Sequence, residues 1–243
     1  MEQELYWIRE KYPEESAFSA ALARYRAGEP LAYILGEQYF WRYRFTVSPD
    51  VLIPRPDTER LVELALPLLP QGGRFADLCT GSGAIALSVC ADRIDLTCDA
   101  ADISEAALEI AKLNARDLNV GDRVRFHQAD LLSEDPLNGL YDAILSNPPY
   151  IPAADIADYP SLAYEPQIAL DGGKDGMDFY KAIVARFGHH LKEDGCFLFE
   201  IGYDQGEAIQ KLAEAEGYLC TVTKDYGGND RVAKLIKRKD VTQ

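Results

Sequence analysis

Soft metal ligands are scarce in this chain, which has three histidines and five cysteines among 243 residues. The cysteines (Cys79, Cys90, Cys98, Cys196, Cys220) form no C-x-x-C pair, and no Cys/His group has zinc spacing, so no metal site is expected. An odd, irregularly spaced set reads as free thiols in a reducing cytoplasm rather than as a disulfide framework. His127, His189 and His190 have no partner at ligand or triad spacing and read as structural or surface residues. Long apolar runs are missing too. The stretch from Leu61 to Leu69 is broken by Glu63 and Pro67, well short of the ~18–20 residues a membrane span needs. Met1-Glu2-Gln3-Glu4 has neither a basic stretch nor an apolar core behind it, so no secretory signal is expected. Basic charge is also short: 25 Lys and Arg against 40 Asp and Glu leave a net charge of −15. Phosphate backbones are held by clustered cations, so this balance argues against duplex nucleic acid and suits a basic protein partner.

What is present can fill a core, with 47% hydrophobic and 27% charged residues. Three sections are expected. Residues 1–36 read as a short helical region, with Leu5, Ile8, Phe18, Ala21, Leu22 and Tyr25 as its apolar positions and Pro13 as a break. Residues 37–56 read as a β-hairpin linker. There Tyr39, Trp41, Tyr43, Phe45 and Val47 alternate with Phe40, Arg42, Arg44 and Thr46, and Ser48-Pro49-Asp50 forms the turn before Val51-Leu52-Ile53. In residues 57–243 strands and helices alternate, which predicts an α/β fold with a doubly wound, mostly parallel sheet. Ligands in such sheets bind at the carboxyl ends of the strands, and every motif below falls there.

The first motif is Asp77-Leu78-Cys79-Thr80-Gly81-Ser82-Gly83, between a strand and its helix. Its glycines let the backbone turn sharply against a ligand, and the helix beyond presents free N–H groups. Gly81 to Ala86 also fits the relaxed pattern G-x-G-x-x-A, so NAD stays open beside S-adenosylmethionine. Asp102 ends the next strand, where a carboxylate can accept both ribose hydroxyls of either cofactor. Asp130 and Leu131 end the third strand and are candidates to read the edge and cover the face of adenine.

Asn147-Pro148-Pro149-Tyr150 follows the fourth strand. Two prolines fix φ and lack N–H donors, so the turn is rigid and its carbonyls are free to accept. The Asn147 side-chain oxygen and the Pro148 carbonyl can take both hydrogens of a planar NH2 group and turn its lone pair towards a sulfonium methyl. Tyr150 can pack on the planar group. No general base is needed first, because the nitrogen turns acidic as charge develops; positioning and electrostatics carry the step.

Asn-Pro-Pro-Tyr in this place resembles the amino-methyltransferases. Several other stretches resemble the release-factor glutamine N5-methyltransferase (PrmC/HemK) family of class I S-adenosylmethionine-dependent enzymes. They are Glu29 to Gly36, Ile53 to Glu59, Tyr164-Glu165-Pro166, Ala169 to Gly176 and Gly227 to Val232. The resemblance implies a Rossmann-like, seven-stranded methyltransferase domain. It implies methyl transfer from S-adenosyl-L-methionine, leaving S-adenosyl-L-homocysteine, to the glutamine amide of the Gly-Gly-Gln motif in class I peptide chain release factors. By the same resemblance Cys79, Thr80, Gly81, Ser82, Gly83, Asp102, Leu131 and Asn147 contact the cofactor. Asn147, Pro148, Pro149 and Tyr150 clamp the substrate, with Asn147, Pro148 and Tyr150 catalytic, and Arg55 and Glu165 stand nearby. It gives the helical N-terminal region, shorter than in the family, the task of docking the release factor.

The short N-terminal region is one departure from the family's pattern, and Cys79 is another. Cys79 stands where many methyltransferases have glycine, and its β-carbon demands a negative φ. The alternatives within the chemistry are a glutamine of a ribosomal protein and adenine N6 of a nucleic acid; outside it stands a nicotinamide-binding oxidoreductase.

Overall fold

The computed structural model describes residues 2–238; the last residues of the third expected section, 239–243, lie outside the described residues. A seven-stranded sheet organises the chain in the order β5-β4-β3-β6-β7-β9-β8. Its members are β3 (Arg74–Leu78), β4 (Thr97–Asp102), β5 (Val124–Gln128), β6 (Tyr141–Ser146), β7 (Leu191–Glu200), β8 (Tyr218–Lys224) and β9 (Asp230–Lys237). Every pairing is parallel except the two made by β9. Helices cover both faces, which is why the central strands are mostly buried on both sides rather than alternating.

On one face lie α4 (Glu59–Leu68), α5 (Ala84–Asp92) and α6 (Glu105–Asp117), packed through Leu61, Val62, Leu87, Val89 and Ala115 onto Phe75, Ala143 and Leu145. On the other lie α7 (Asp178–Phe187) and α8 (Gly206–Ala215), whose Tyr180, Ile183, Phe187 and Ile209 meet Leu78, Ile144, Phe197 and Phe199. Ser104 caps α6 as the sequence predicts, accepting the Ala107 N–H at 3.1 Å. Strand order reverses at β3, so a crevice opens at the carboxyl ends of β3, β4 and β6. Among the described residues no helix is long and apolar enough to cross a membrane.

The N-terminal section forms α1 (Glu2–Lys11), α2 (Glu15–Arg26) and α3 (Leu31–Leu35), with Pro13 in the first break. Its small core of Ile8, Ala21 and Ile34 is closed by the Tyr12 hydroxyl, which donates to the Ile34 carbonyl at 2.8 Å. The hairpin, β1 (Glu37–Phe40) and β2 (Tyr43–Thr46), corrects the expected register. Phe40 pairs with Tyr43, so the turn is Trp41-Arg42 rather than Ser48-Pro49-Asp50. Trp41 sits there at φ 57, held by its N–H on Glu59 and its indole on Asp92. The turn inverts the alternation, and Phe40 and Phe45 become the buried pair. Val51-Leu52-Ile53 is not a strand. Side chains take the backbone groups that a ladder would use: Tyr33 donates to the Val51 carbonyl at 2.6 Å, and Glu165 accepts the Ile53 N–H at 3.1 Å.

Candidate active site

The Gly-rich turn is built on a buried carboxyl group. Asp77, at 0% exposure, ends in one oxygen that accepts the Thr80 hydroxyl at 2.7 Å and the Ala86 N–H at 3.2 Å. Its other oxygen, Oδ1, has no hydrogen-bond partner among the described residues. Burial pushes the group up to about 7, against the pull of the Thr80 and Ala86 donors. Cys79 overturns the expectation of a negative φ, since it stands at φ 60. A β-carbon in that region costs on the order of 1–2 kcal/mol. The turn imposes it from both sides, through the strand behind and the Thr80 N–H bonded to the Ala101 carbonyl at 3.0 Å.

Asp102 closes the turn from β4. Its oxygens accept the Gly81 N–H at 2.8 Å and the Ser104 N–H at 3.0 Å, so it steadies the loop and the entry to α6 together. Burial raises its pKa, and those backbone donors oppose the rise. Each carboxylate oxygen keeps a further lone pair for a hydroxyl ligand. Asn114, buried on α6, ties the turn to the hairpin: its amide donates to the carbonyls of Ser82 and Thr46 and accepts the Thr46 N–H.

A cleft of about 290 Å³ lies over this turn. Of the residues singled out from the sequence, Cys79, Thr80, Gly81, Ser82, Asp102, Leu131, Asn147 and Pro149 line it, and Gly83, Pro148 and Tyr150 do not. Asp130 also lines it, with its carboxylate engaged by the Leu132 N–H and the Ser133 hydroxyl. Asp99, in contrast, lies outside the lining and pairs with Arg74 and His127. The charges of the lining decide between nucleotide cofactors. They are Asp50, Asp102 and Asp130 against Arg55 alone, and Arg55 is paired to Glu165. A pyrophosphate would meet carboxylates here, whereas a cationic sulfonium nucleoside would meet opposite charge beside the apolar Leu131, Ile103 and Ala107. The lining therefore fits the cationic S-adenosylmethionine better than an anionic nicotinamide dinucleotide.

Asn147 emerges from the end of β6 into this cleft and donates through Nδ2 to the Thr58 hydroxyl at 3.3 Å. Thr58, buried ahead of α4, lies beside Glu200 at the end of β7. Burial drives Glu200 up to about 7, while Thr58 and the Arg231 charge draw it back. The turn beyond Asn147 is pinned by backbone bonds to 170–172, with Ile151 N–H on Leu170 at 3.0 Å and Gly172 N–H on Ile151 at 2.8 Å. Tyr150 packs against the apolar cluster shared by α7 and α8, and its carbonyl accepts from Gln205 at 3.0 Å. Burial, with Glu200 nearby, raises its phenol pKa.

Thr58 and Glu200 escaped the reading of the sequence. The signal for Glu200 was its place: a lone carboxylate closing the apolar run Cys196-Phe197-Leu198-Phe199. Thr58 carried no such mark, because a Thr near a helix start reads as a cap. Arg55 and Glu165 prove to be a brace, with Glu165 buried and Arg55 partly exposed, between the segment before α4 and the loop after β6.

A doubly wound sheet in this order, with an anionic nucleoside cleft beside Asn-Pro-Pro-Tyr, defines the class of Rossmann-like methyltransferases. Residues 58–159 match the family model described as "Methyltransferase small domain". The crystal structure of a methyltransferase from Pyrococcus furiosus superposes with a TM-score of 0.61 at 19% identity, covering 89% of this chain and 97% of that one; the fold is shared. A release factor glutamine methyltransferase of Coxiella burnetii is 42% identical over 222 residues, 90% of this chain and 79% of that protein. Another from Neisseria gonorrhoeae is 45% identical over 208 residues, 84% of this chain and 76% of that protein. The chain belongs to the release factor glutamine methyltransferase family.

Proposed function

We propose that this protein methylates N5 of the glutamine in the Gly-Gly-Gln motif of class I peptide chain release factors, using S-adenosyl-L-methionine. The observation that carries the reading is the state of Asn147. Its Nδ2 is occupied by Thr58, and among the described residues no hydrogen bond occupies its Oδ1, on the wall of the cleft that Asp102 closes. The bound sulfonium supplies the electrophilic methyl group. Asn147 Oδ1 and the Pro148 carbonyl accept the two amide hydrogens and aim the nitrogen lone pair along the cleft. As positive charge grows on the nitrogen, both acceptors bind its hydrogens more tightly, which is stabilisation specific to the transition state, and one of those protons then leaves to solvent to give the neutral methylamide. Pro149 shapes the wall, and Tyr150 holds the turn from behind. Asp102 and Gly81 to Ser82 seat the ribose and the amino-acid tail, and Leu131 covers the adenine.

The short helical region braces the entrance, through Tyr33 on the Val51 carbonyl, and docks the body of the release factor. A net charge of −15 favours a basic partner surface over nucleic acid. An enzyme with this substrate works where translation terminates, in the cytoplasm. Incubation with methyl-labelled S-adenosylmethionine and a purified release factor tests the whole reading. Label is expected on the Gly-Gly-Gln glutamine alone. Cofactor binding without label at that residue overturns it.

A further inference from the structure

His189 and His190 follow α7, and the fold carries both rings to Asp135, on the segment between β5 and β6. His190 Nε2 lies 2.9 Å from Asp135 Oδ2, and His189 Nε2 lies 3.6 Å from the same oxygen. The three ligand-type atoms are all within 4.8 Å of one another. His190 Nδ1 lies 2.7 Å from the Gly139 carbonyl. A carbonyl oxygen only accepts, so Nδ1 must carry a proton. In a neutral imidazole Nε2 is then bare, and its lone pair faces a carboxylate that also only accepts. Positive charge must stand between them.

We propose that Asp135, His189 and His190 form a binding site for a divalent transition-metal ion of the zinc class. The geometry agrees with tetrahedral coordination. Ligand atoms ~2.0–2.1 Å from a tetrahedral ion stand about 3.3 Å apart, and the separations of 2.9 and 3.6 Å lie on either side of that edge. The Gly139 carbonyl fixes the tautomer in which Nε2 is the ligand, the outer-shell partner that a metal-binding histidine requires. His190 is 8% exposed and its ring is held between Phe187 and Tyr141, so one ligand is rigid and already oriented. His189 is exposed and rotates to close the site, leaving the fourth position to water.

The site has a place in the architecture. The segment 129–140 has no helix of its own, yet its first residues, Ala129 to Leu132, form one wall of the cleft. Arg186 already ties it to α7 through the Leu132 carbonyl at 2.8 Å. An ion on Asp135 adds a second tie to the end of the same helix. This inference does not depend on which substrate the enzyme methylates.

The test uses the full chain without an affinity tag, stripped of metal by chelation and dialysis. Cobalt(II) titration is expected to give the visible absorption of a tetrahedral nitrogen–oxygen site, displaced by one equivalent of Zn²⁺. Zn²⁺ is expected to raise the thermal midpoint, as any ligand selective for the folded state does. His189→Gln, on an exposed side chain that the fold does not need, should weaken binding at least about 10-fold. Asp135→Asn should abolish it. The proposal is overturned by absence of binding, by equal binding in both variants, or by histidine NMR titration showing His190 doubly protonated with Zn²⁺ present.

Discussion

Thr58 Oγ accepts the side-chain N–H of Asn147 at 3.3 Å and lies beside the buried Glu200. An asparagine amide presents oxygen or nitrogen depending on a half-turn about its last bond. A hydroxyl alone would tolerate either, since it donates and accepts. Here Nδ2 is the atom turned to Thr58, which leaves Oδ1 without a hydrogen bond among the described residues.

Thr58→Val keeps the shape and removes the acceptor. Losing one such bond is worth about 1–3 kcal/mol, so kcat should fall roughly 10- to 100-fold. Thr58→Ser should restore most of it, and cofactor affinity should hardly change. Asn147→Ala should lower kcat by about 10²–10³. Because Thr58 acts through Asn147, the double variant should be no slower than Asn147→Ala. Single-turnover kinetics and calorimetry with S-adenosylmethionine separate these effects; additive losses would show that Thr58 acts elsewhere.

Asp77 and Glu200 predict an unusual dependence of stability on pH. Both are buried carboxyl groups raised by burial to about 7, against about 4 in an unfolded chain. Between those values the folded state binds the more protons, so each group destabilises the fold as pH rises from about 4 to about 7, with no further change above. The contribution is fully favourable below the unfolded value and lost above the folded one. Asp77→Asn and Glu200→Gln remove the titration. The difference in urea midpoint between wild type and either variant should therefore shift, in favour of the variant, from pH 5 to pH 8. A difference that stays constant refutes the assignment.

The parts of the site that sequence could reveal are those whose chemistry is local. Gly81, Gly83 and the two prolines of the 147–150 turn act through their own backbone, and Asp102 sits at a strand end that periodicity locates. The alternation through Phe45 misled, because a two-residue turn at Trp41 reverses which side chains face inward. Pairings between residues far apart along the chain were invisible. Thr58 meets Asn147 across 89 positions, Arg55 meets Glu165 across 110, and His190 reaches Asp135 across 55. Only β-sheet order brings such groups together.

Asp102 predicts a loss confined to cofactor binding. Its carboxylate organises the Gly81 and Ser104 N–H groups and keeps lone pairs for ribose hydroxyls. Asp102→Asn retains the shape but turns half of the acceptor into a donor. Charge-assisted hydrogen bonds contribute about 1.5–3 kcal/mol, so the Kd for S-adenosylmethionine should rise roughly 10- to 100-fold. At saturating cofactor, kcat should recover to within a few-fold. Equal losses in kcat at saturation would place Asp102 in the chemistry instead.

Gly83 and Gly81 offer a controlled comparison on one turn, because both have positive φ, 81 and 54, and differ in surroundings. A β-carbon on Gly83 would stand 2.7 Å from Leu87 Cδ1, whereas one on Gly81 meets nothing within 4 Å. Gly81→Ala therefore incurs only backbone strain, on the order of 1 kcal/mol. Gly83→Ala adds overpacking against the first turn of α5, typically a further 1–3 kcal/mol. Denaturant unfolding should rank Gly83→Ala as the less stable of the two. Cofactor affinity should rank them the other way per unit of stability lost, since Gly81 lines the cleft and Gly83 does not. If both variants lose stability equally, α5 moves to accept the methyl group, and the packing at its start is looser than the 2.7 Å separation implies.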